Sequence, residues 1–350
     1  MAQVTLGLPT LDSEAFLETR IRSIMEQTFD DFQVLVVDGG SQDSTLEQIQ
    51  RWSANDARVV LHPAPVAGLY QAFNQVLTSA ETPYVCILPA DDSMSNCFLQ
   101  RMIFALEEYP GASAAVSRLR VFDENDHPLP SPWDHAITPF EQAQSPATTS
   151  LHPWPFDALA GLMRQNPYVS QTQLVYRTRA IDRLRFETDL GSTADILFNL
   201  QLAFAHDVVH VAETWGGWRL HPAQASQQDS QRSLKKQRLE VMLDRAVESH
   251  LSKINDQRYR RRLEQIADVM AGWNHLQKSV EGQSHARRWA TVFARGMLSP
   301  RASWLYAQSR LGRTEAVRDW LTDQARRLTR FRLDCSLRQN DRHEDRTTTA

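Results

Sequence analysis

The sequence predicts an α/β fold in which a mostly parallel sheet is flanked by helices and followed by a helical appendage. In residues 1–110, short apolar runs alternate with segments whose apolar residues recur at helical spacing. Beyond residue 230, only the helical spacing continues. Strands that alternate with helices are typical of βαβ units and parallel sheets.

Each predicted element in the first third of the chain has its own signal. Apolar runs indicate the strands, and helical periodicity indicates the helices, as at Leu17, Ile21 and Ile24 after the capping residue Ser13. The predicted strands are 4–8, 32–37, 59–61 and 84–88, and the predicted helices are 16–24, 46–52, 69–77 and 98–106. Parallel strands end at one edge of the sheet, where α/β folds bind ligands.

The fourth predicted strand ends at two adjacent carboxylates, Asp91 and Asp92. Two carboxylates at one place repel each other unless a cation lies nearby. A divalent metal that carries a diphosphate fits this position, because hard cations prefer oxygen ligands. The alternative is a solvated turn or a helix cap, since Asp-Asp-Ser is also good capping chemistry.

A loop with two glycines follows the second predicted strand and begins Asp38-Gly39-Gly40-Ser41. Glycine allows close approach to the backbone, and an aspartate at a strand end can accept hydrogen bonds from a ribose or a base N–H. The alternative is a turn followed by a helix cap. The chain contains no Gly-x-Gly-x-x-Gly and no Gly-Lys-Ser/Thr segment, which excludes the common dinucleotide and Walker phosphate loops.

Charge is distributed unevenly along the chain. Residues 1–230 hold 13 Lys and Arg against 28 Asp and Glu, whereas residues 231–350 hold 25 against 14. The acidic first part argues against nucleic acid as a ligand and suits metal chemistry. The basic second part is suited to an anionic lipid surface, to a partner, or to the acidic part itself.

Composition narrows the class of protein further. The chain has 350 residues with 42% apolar content, which is enough for one large domain or two. Its three cysteines at unrelated spacings form neither a disulfide framework nor a zinc pattern, which fits a reducing compartment. A leader peptide and an apolar stretch of spanning length are both missing, so we expect a cytoplasmic protein that does not span a membrane.

Four blocks, in this order and spacing, resemble the nucleotide-sugar domain of family 2 glycosyltransferases with the GT-A fold. They are VTLGLPTLD at 4–12, VVDGGSQDST at 36–45, GLYQAFNQ at 68–75 and LPADDS at 88–93. The resemblance implies an inverting enzyme that uses a nucleoside-diphosphate sugar, with UDP expected, and Mn²⁺ or Mg²⁺ as cofactor. It implies a donor site with Pro9 and Thr10 beside the nucleotide, Asp38 at the base, Asn74 in the lining, and Asp91 and Asp92 at the metal and diphosphate.

Two later segments resemble the acceptor side and the closing block of the same family. The resemblance implies that Asp195, which opens a helix, is the general base that takes the proton of the attacking hydroxyl. The alternative is an aspartate favoured at a helix start by the helix dipole. In the segment 215–226, the resemblance makes His221 a ligand of the metal or the diphosphate, with a structural histidine as the alternative. Arg219 is the other candidate for contact with the diphosphate.

The resemblance ends beyond Ser226, and the predicted catalytic domain is 1–228. Within the catalytic domain 1–228, the predicted parts are a nucleotide-sugar half at 1–122, a loop-rich insertion at 123–168 and an acceptor half at 169–228. Trp133 and Trp154 of the insertion either stack on a sugar or anchor the loop to the core, and anchoring is favoured. A strand is predicted at 166–176, a basic helical region at 229–338 and a disordered tail at 339–350.

The basic helical region combines an apolar face with clustered arginines. Tyr259, Leu263, Ile266 and Met270 recur at helical spacing. The clustered arginines are Arg258, Arg260, Arg261, Arg262, Arg287, Arg288, Arg326, Arg327, Arg330 and Arg332. Such segments lie on anionic membranes, and the alternative is a helical subdomain packed on the acidic catalytic part with a solvated basic face.

Together these features predict a glycosyltransferase of polysaccharide biosynthesis that modifies a hydroxyl of a glycan or lipid-linked acceptor. The alternative from another class is a non-catalytic module that binds sugar nucleotides or glycans on the same fold. A nucleotidyltransferase is disfavoured, because residues 1–230 contain no lysine and lack a basic, glycine-rich loop near the first strand.

Overall fold

The structure is a computed structural model. It describes residues 2–63, 66, 68–130, 149–162, 168–222, 224, 232–253, 256–280, 300–310, 316–317 and 319–328. The predictions for Trp133, Arg287, Arg288, Arg330, Arg332 and the tail at 339–350 lie outside the described residues.

A mixed sheet of ten strands forms the centre of the described part of the chain. The strands are β1 (Val4–Thr10), β2 (Phe32–Asp38), β3 (Val59–Leu61), β4 (Tyr84–Ile87), β5 (Ser93–Met94), β6 (Ala112–Phe122), β7 (Pro128–Leu129), β8 (Ser150–His152), β9 (Leu174–Arg177) and β10 (Asp207–Arg219). Their order is β3-β2-β1-β4-β9-β6-β10-β5, with β7 on β6 and β8 on β10. Strands β1 to β4, β6 and β10 share one direction, and β9 is antiparallel between β4 and β6.

Helices cover both faces of this sheet, as the sequence predicts. They are α1 (Glu14–Met25), α2 (Thr45–Asn55), α3 (Leu69–Ser79), α4 (Phe98–Glu108), α5 (Phe156–Leu162), α6 (Thr178–Ile181), α7 (Ala194–Ala203), α8 (Arg232–Leu251), α9 (Gln257–Val280) and α10 (Pro300–Arg310). The predicted strands and helices of the first 108 residues are all present, most of them one or a few residues longer than predicted. The α/β fold class with a helical region after it is confirmed.

The structure corrects two predictions in the second third of the chain. The strand predicted at 166–176 is only Leu174–Arg177, preceded by a short 3₁₀ turn at Gln171–Gln173. The insertion predicted as loop contains β7, β8 and α5. Helix α5 is buried throughout, so it lacks the one-sided apolar pattern that indicates a surface helix. Sequence reasoning also missed β6, whose alanines and serines have weak strand propensity.

Two apolar cores lie on opposite faces of the sheet, because successive strand residues point to opposite sides. On β4, Cys86 joins the core under α1, α2 and α4, whereas Val85 and Ile87 join the other core. That second core continues into the C-terminal helices through Met242 of α8 and Tyr259 of α9. The helical appendage is therefore packed on the catalytic part.

Within the described residues, no helix combines the length and the apolar character that crossing a membrane requires. Arg258, Arg260 and Arg261 are exposed on α9, while Tyr259 and Leu263 between and after them are buried. Contact of these arginines with an anionic membrane stays a prediction, which sedimentation with anionic and neutral vesicles would test.

Candidate active site

Asp38 and Thr10 are paired at the ends of β2 and β1. Asp38 is 7% exposed, and its Oδ1 accepts hydrogen bonds from the Thr10 and Ser41 hydroxyls at 2.9 and 2.6 Å. Its Oδ2 accepts from the backbone N–H groups of Gly40 and Ser41 at 2.8 and 2.9 Å. Burial raises the pKa of Asp38, but these hydrogen bonds together outweigh burial and hold the pKa below its ordinary value.

The hydrogen bonds of Asp38 limit what it can do for a ligand. A carboxylate has about four acceptor positions, and in Asp38 all four are used by Thr10 of β1 and by the loop after β2. A base N–H can therefore reach Asp38 only by replacing one of these donors. Pro9 lies one residue earlier on β1 and is paired with Val37.

The loops after β1 and β2 hold each other in place. The Asp12 carboxylate accepts from the Gln42 N–H at 2.7 Å, and Glu14 accepts from the N–H and hydroxyl of Ser44 at 3.0 and 2.8 Å. Asp12 has a φ of 44°, in the left-handed region that aspartate tolerates better than most residues. These bonds make a fixed rim beside Asp38.

A second group, which we call the acidic corner, consists of Asp91, Asp92, Arg219 and His221. The His221 Nε2 lies 3.0 Å from the Asp91 Oδ2, and the Arg219 Nε donates to the Asp91 carbonyl at 2.9 Å. The Arg219 N–H donates to the Asp92 Oδ1 at 3.0 Å. The end of β10 therefore meets the turn after β4, and four residues predicted to share a site are in direct contact.

Burial separates the roles of the two carboxylates. Asp92 is 2% exposed, and its Oδ2 accepts from the Ser170 hydroxyl at 3.4 Å. Burial and the neighbouring Asp91 raise the pKa of Asp92 well above its ordinary value, although the charge of Arg20 opposes them. The Asp91 side chain is 26% exposed. A ligand in solution can therefore reach Asp91 more readily than Asp92.

Arg219 holds the acidic corner together. It is 3% exposed, and its Nη1 and Nη2 donate to the Asp123 carbonyl and the Asp126 carboxylate at 3.0 and 2.5 Å. The Phe16 ring of α1 lies 5.1 Å from the guanidinium carbon of Arg219 and 4.6 Å from the His221 ring centroid. Each guanidinium nitrogen of Arg219 already has a partner within the chain.

Asn74 and Asp195 are linked to each other through Phe186 and α7. The Asn74 amide pairs with the backbone of Phe186, donating to its carbonyl at 2.9 Å and accepting from its N–H at 2.8 Å. Phe186 stacks on Phe198 of α7, the helix that Asp195 opens. Asp195 is half-buried. The pKa of Tyr176 on β9 is raised mainly by burial, then by Cys86, and then by the charge of Asp195. The structure thus joins Asn74 to the helix of Asp195.

Sequence reasoning missed Arg20, Ser170 and Thr172 near the acidic corner. Arg20 is 0% exposed and donates to the Pro89 carbonyl at 2.9 Å and to the Thr172 hydroxyl at 3.1 Å. The burial of Arg20 could have been predicted, because Arg20 lies between Leu17 and Ile24 at the spacing of the apolar helix face. Nothing in the local sequence marks Ser170 or Thr172.

A buried histidine pair lies at the other end of β10. The Asp157 carboxylate lies 2.7 Å from both His152 Nδ1 and His210 Nε2, and it accepts from the Tyr168 hydroxyl at 2.6 Å. Burial raises the pKa of Asp157, but His210 and His152 outweigh burial and lower it. The two imidazole rings stack with centroids 3.7 Å apart at 23°, so an ion between them would lie outside both ring planes. This group instead joins β8, α5 and β10.

The family model for Glycosyl transferase family 2 matches residues 5–185, which is more than half of the chain. The chain belongs to glycosyltransferase family 2. The family membership expected from the four sequence blocks is thereby confirmed.

Curated relatives of this family 2 glycosyltransferase are similar over part of their length. The PGL/p-HBAD biosynthesis glycosyltransferase of Mycobacterium tuberculosis is 36% identical over 88 residues, which are 25% of this chain and 34% of the relative. The uncharacterized glycosyltransferase EpsJ of Bacillus subtilis is 30% identical over 106 residues, which are 30% of either chain. The chain thus spans about a third of the length of these curated relatives.

Solved structures show the same fold. The crystal structure of S. aureus TarS superposes with a TM-score of 0.53 at 17% identity, covering 81% of this chain and 44% of that chain. The structure of S. aureus TarS 1-349 in complex with UDP-GlcNAc gives a TM-score of 0.50 at 17% identity, covering 89% and 92%. The GT-A fold expected from the sequence is confirmed.

Proposed function

We propose that this family 2 glycosyltransferase is an inverting, metal-dependent enzyme that moves a sugar from a UDP-sugar to a hydroxyl of a glycan or glycolipid. The acidic corner carries the proposal. It lies at the ends of β4 and β10, on the same edge of the sheet as the Asp38 loop after β2. A nucleotide at Asp38 can therefore extend its diphosphate towards Asp91. The choice of uridine is supported by TarS, which shares the fold and was crystallised with UDP-GlcNAc.

Asp91 and His221 would hold the metal, with Asp92 behind them. A carboxylate oxygen and an imidazole nitrogen already lie 3.0 Å apart at the partly exposed end of the acidic corner. Both are ligands that Mn²⁺ accepts, whereas Mg²⁺ favours the oxygen alone. Bound there, the cation would offset the charge of the departing diphosphate.

The remaining residues would position donor and acceptor. Asp38, with Thr10 behind it, would bind the base, and Pro9 would lie beside the nucleotide. Asn74 would act through Phe186, because its amide is fully engaged there. Asp195 would accept the proton of the acceptor hydroxyl while the hydroxyl oxygen attacks the anomeric carbon, so no covalent enzyme intermediate is needed.

Calorimetry with UDP tests the proposal. In the wild type, Mn²⁺ should tighten UDP binding by about tenfold or more, because the bound ion adds a charge interaction with the diphosphate. Asp91→Asn should abolish that gain and leave binding without metal nearly unchanged. Asp56→Asn is the matched control, because Asp56 pairs with Arg58 beside β3 and is remote from the site. Wild-type binding that is indifferent to Mn²⁺ would contradict the proposed role of Asp91.

A further inference from the structure

Arg20 is a fully buried charge on helix α1. Its side chain lies on the face of α1 that also buries Leu17 and Ile24. Burying a guanidinium is unfavourable unless opposite charge and hydrogen bonds compensate for the lost water. Two of its nitrogens are bonded, but Nη1 has no hydrogen-bond partner among the described residues. Hydrogen bonding alone therefore does not account for this arginine.

The contacts of Arg20 enclose the turn that carries the acidic pair. Its Nε donates to the carbonyl of Pro89, before Asp91. Its Nη2 donates to the Thr172 hydroxyl, and that hydroxyl donates to the carbonyl of Ser93, after Asp92, at 3.3 Å. Arg20 thus fixes both ends of the turn.

The charges around Arg20 show what compensates for its burial. Burial is the largest influence and lowers the pKa of Arg20, while the nearby Asp92, Cys86 and Asp91 raise it. The thiol of Cys86 is itself buried, with its pKa raised to about 12, so it is uncharged at neutral pH. The acidic pair is therefore the source of the negative charge that stabilises Arg20.

We propose that Arg20 is a positioning residue of the donor site, which holds the turn at 89–93 and acts as an internal counter-ion for the acidic pair. This inference rests on the proposed function of that pair. Arg20 offsets part of the negative charge of the acidic pair, and Asp92 has the largest favourable effect on it. The Mn²⁺ ion then meets one carboxylate, Asp91, whose charge Arg20 offsets less than that of Asp92. It binds tightly only when the negative charge of the diphosphate is also present.

The inference predicts the sign of a change in metal affinity. Mn²⁺ alone is titrated into the full chain by calorimetry for the wild type, Arg20→Met and Arg20→Lys. Removing the positive charge should tighten Mn²⁺ binding by about tenfold, since a fixed cation nearby repels the ion. Arg20→Lys keeps the charge and should stay within about threefold of the wild type. If Arg20→Met only disturbed the packing around the turn, Mn²⁺ binding would become weaker, so the sign of the change separates the two effects.

Arg177 provides the matched control, because it is another arginine whose guanidinium donates to backbone carbonyls. Its guanidinium donates to the carbonyls of Ala112 and Leu106 and to the Tyr84 hydroxyl, at the other end of β4. Arg177→Met should lower the melting temperature and leave Mn²⁺ affinity unchanged.

Each outcome decides between the two proposals. Equal or weaker Mn²⁺ binding by Arg20→Met, with binding by the wild type, overturns the role of Arg20 alone. Binding by Arg20→Met but not by the wild type supports the role of Arg20. No Mn²⁺ binding by the wild type or by Arg20→Met overturns the role of Arg20, whereas the proposed function is overturned separately, by UDP binding that is indifferent to Mn²⁺.

A double-mutant cycle covers the case in which Arg20→Met folds but is too unstable for calorimetry. Asp92→Asn in that background removes the charge that Arg20 balances, so the double variant should melt at a higher temperature than Arg20→Met alone. Asp92→Asn by itself leaves the buried charge of Arg20 with less negative charge nearby. This variant should therefore have a lower melting temperature than the wild type. A double variant no more stable than Arg20→Met would overturn the counter-ion role.

Discussion

Asp38 and Asp92 are both buried carboxylates, yet their pKa values move in opposite directions. Asp38 accepts four hydrogen bonds of 2.6 to 2.9 Å. Asp92 accepts one backbone N–H at 3.0 Å and one hydroxyl at 3.4 Å, and it lies beside a second acid. Short donors therefore stabilise the charged form at Asp38, while desolvation and a like charge oppose it at Asp92.

Thr10→Val tests the charge of Asp38. Valine is close in shape and removes one hydrogen bond to a buried carboxylate, which should lower the free energy of unfolding by about 1.5–3 kcal/mol at neutral pH. The folded pKa of Asp38 is depressed, so its contribution is present above the unfolded value of about 3.9 and is lost as pH falls through the lower folded value. Urea unfolding at pH 7 and near pH 3 should show the difference shrinking in acid. An equal difference at both pH values would refute the assignment.

Asp195→Asn tests the general base. The substitution keeps the shape and the helix position but cannot take a proton, so turnover should fall by about 10² to 10⁴-fold. Donor affinity should not change, because Asp195 lies on α7 with Tyr176 rather than in the acidic corner. Steady-state kinetics with the acceptor and calorimetry with UDP measure the two quantities. Undiminished turnover would place the base elsewhere.

Among the elements, β10 does most to assemble the site. It pairs with β6 along its length, and its end brings Arg219 to the acidic corner. Close approach requires glycine at one position: a Cβ on Gly216 would lie 2.4 Å from the Thr172 carbonyl oxygen. The Thr172 carbonyl belongs to the backbone, so it cannot avoid the Cβ by changing rotamer as a side chain can.

Gly216→Ala should therefore destabilise the protein by about 1–3 kcal/mol, as overpacking of a rigid contact usually does. Gly111→Ala is the control, since the nearest atom to its added Cβ is a side-chain oxygen 3.9 Å away. Thermal unfolding of both variants gives the comparison. Equal melting temperatures would mean that β10 can shift away from Thr172 at little cost.

At the scale of the whole molecule, the C-terminal helices share a core with the catalytic part. Trp154 stacks on Tyr259 of α9 at 5.8 Å and 18°, which confirms anchoring as its role, and Phe204 stacks on His250 of α8 at 4.7 Å. Arg245 of α8 pairs with Glu187 and Asp189 near α7. These pairs are partly exposed, so they add little stability and instead fix orientation.

A truncated chain ending at residue 231 tests whether residues 1–228 form an independent domain. The truncation would expose large apolar side chains of the catalytic part. Each of them would lose roughly 1.5–3 kcal/mol of stabilisation by burial. The melting temperature should then fall by about 10 °C or more, at 2–4 °C per kcal/mol for a chain of this size. A chain ending at residue 338 is the control. An unchanged transition in the shorter chain would establish 1–228 as a domain that folds alone.

Local patterns determined much of this molecule. Apolar alternation and helical periodicity depend on neighbours within a few residues, so they located β1 to β4 and α1 to α4 and placed Asp38, Asp91 and Asp92 at strand ends. The same logic failed for β6, which alternates little, and for α5, which is buried all round.

Only the tertiary structure decided how distant residues meet. Asp91 and His221 are 130 residues apart and touch because β5, which follows the acidic pair, pairs with β10, and no local period encodes that pairing. The different burial of Asp91 and Asp92, and the position of Arg20 beneath them, likewise follow from helix α1 and strand β10 packing around one turn. The reason is physical: the sequence specifies which groups carry charge, but the charge state and reach of each group depend on the solvent and neighbours that folding leaves around it.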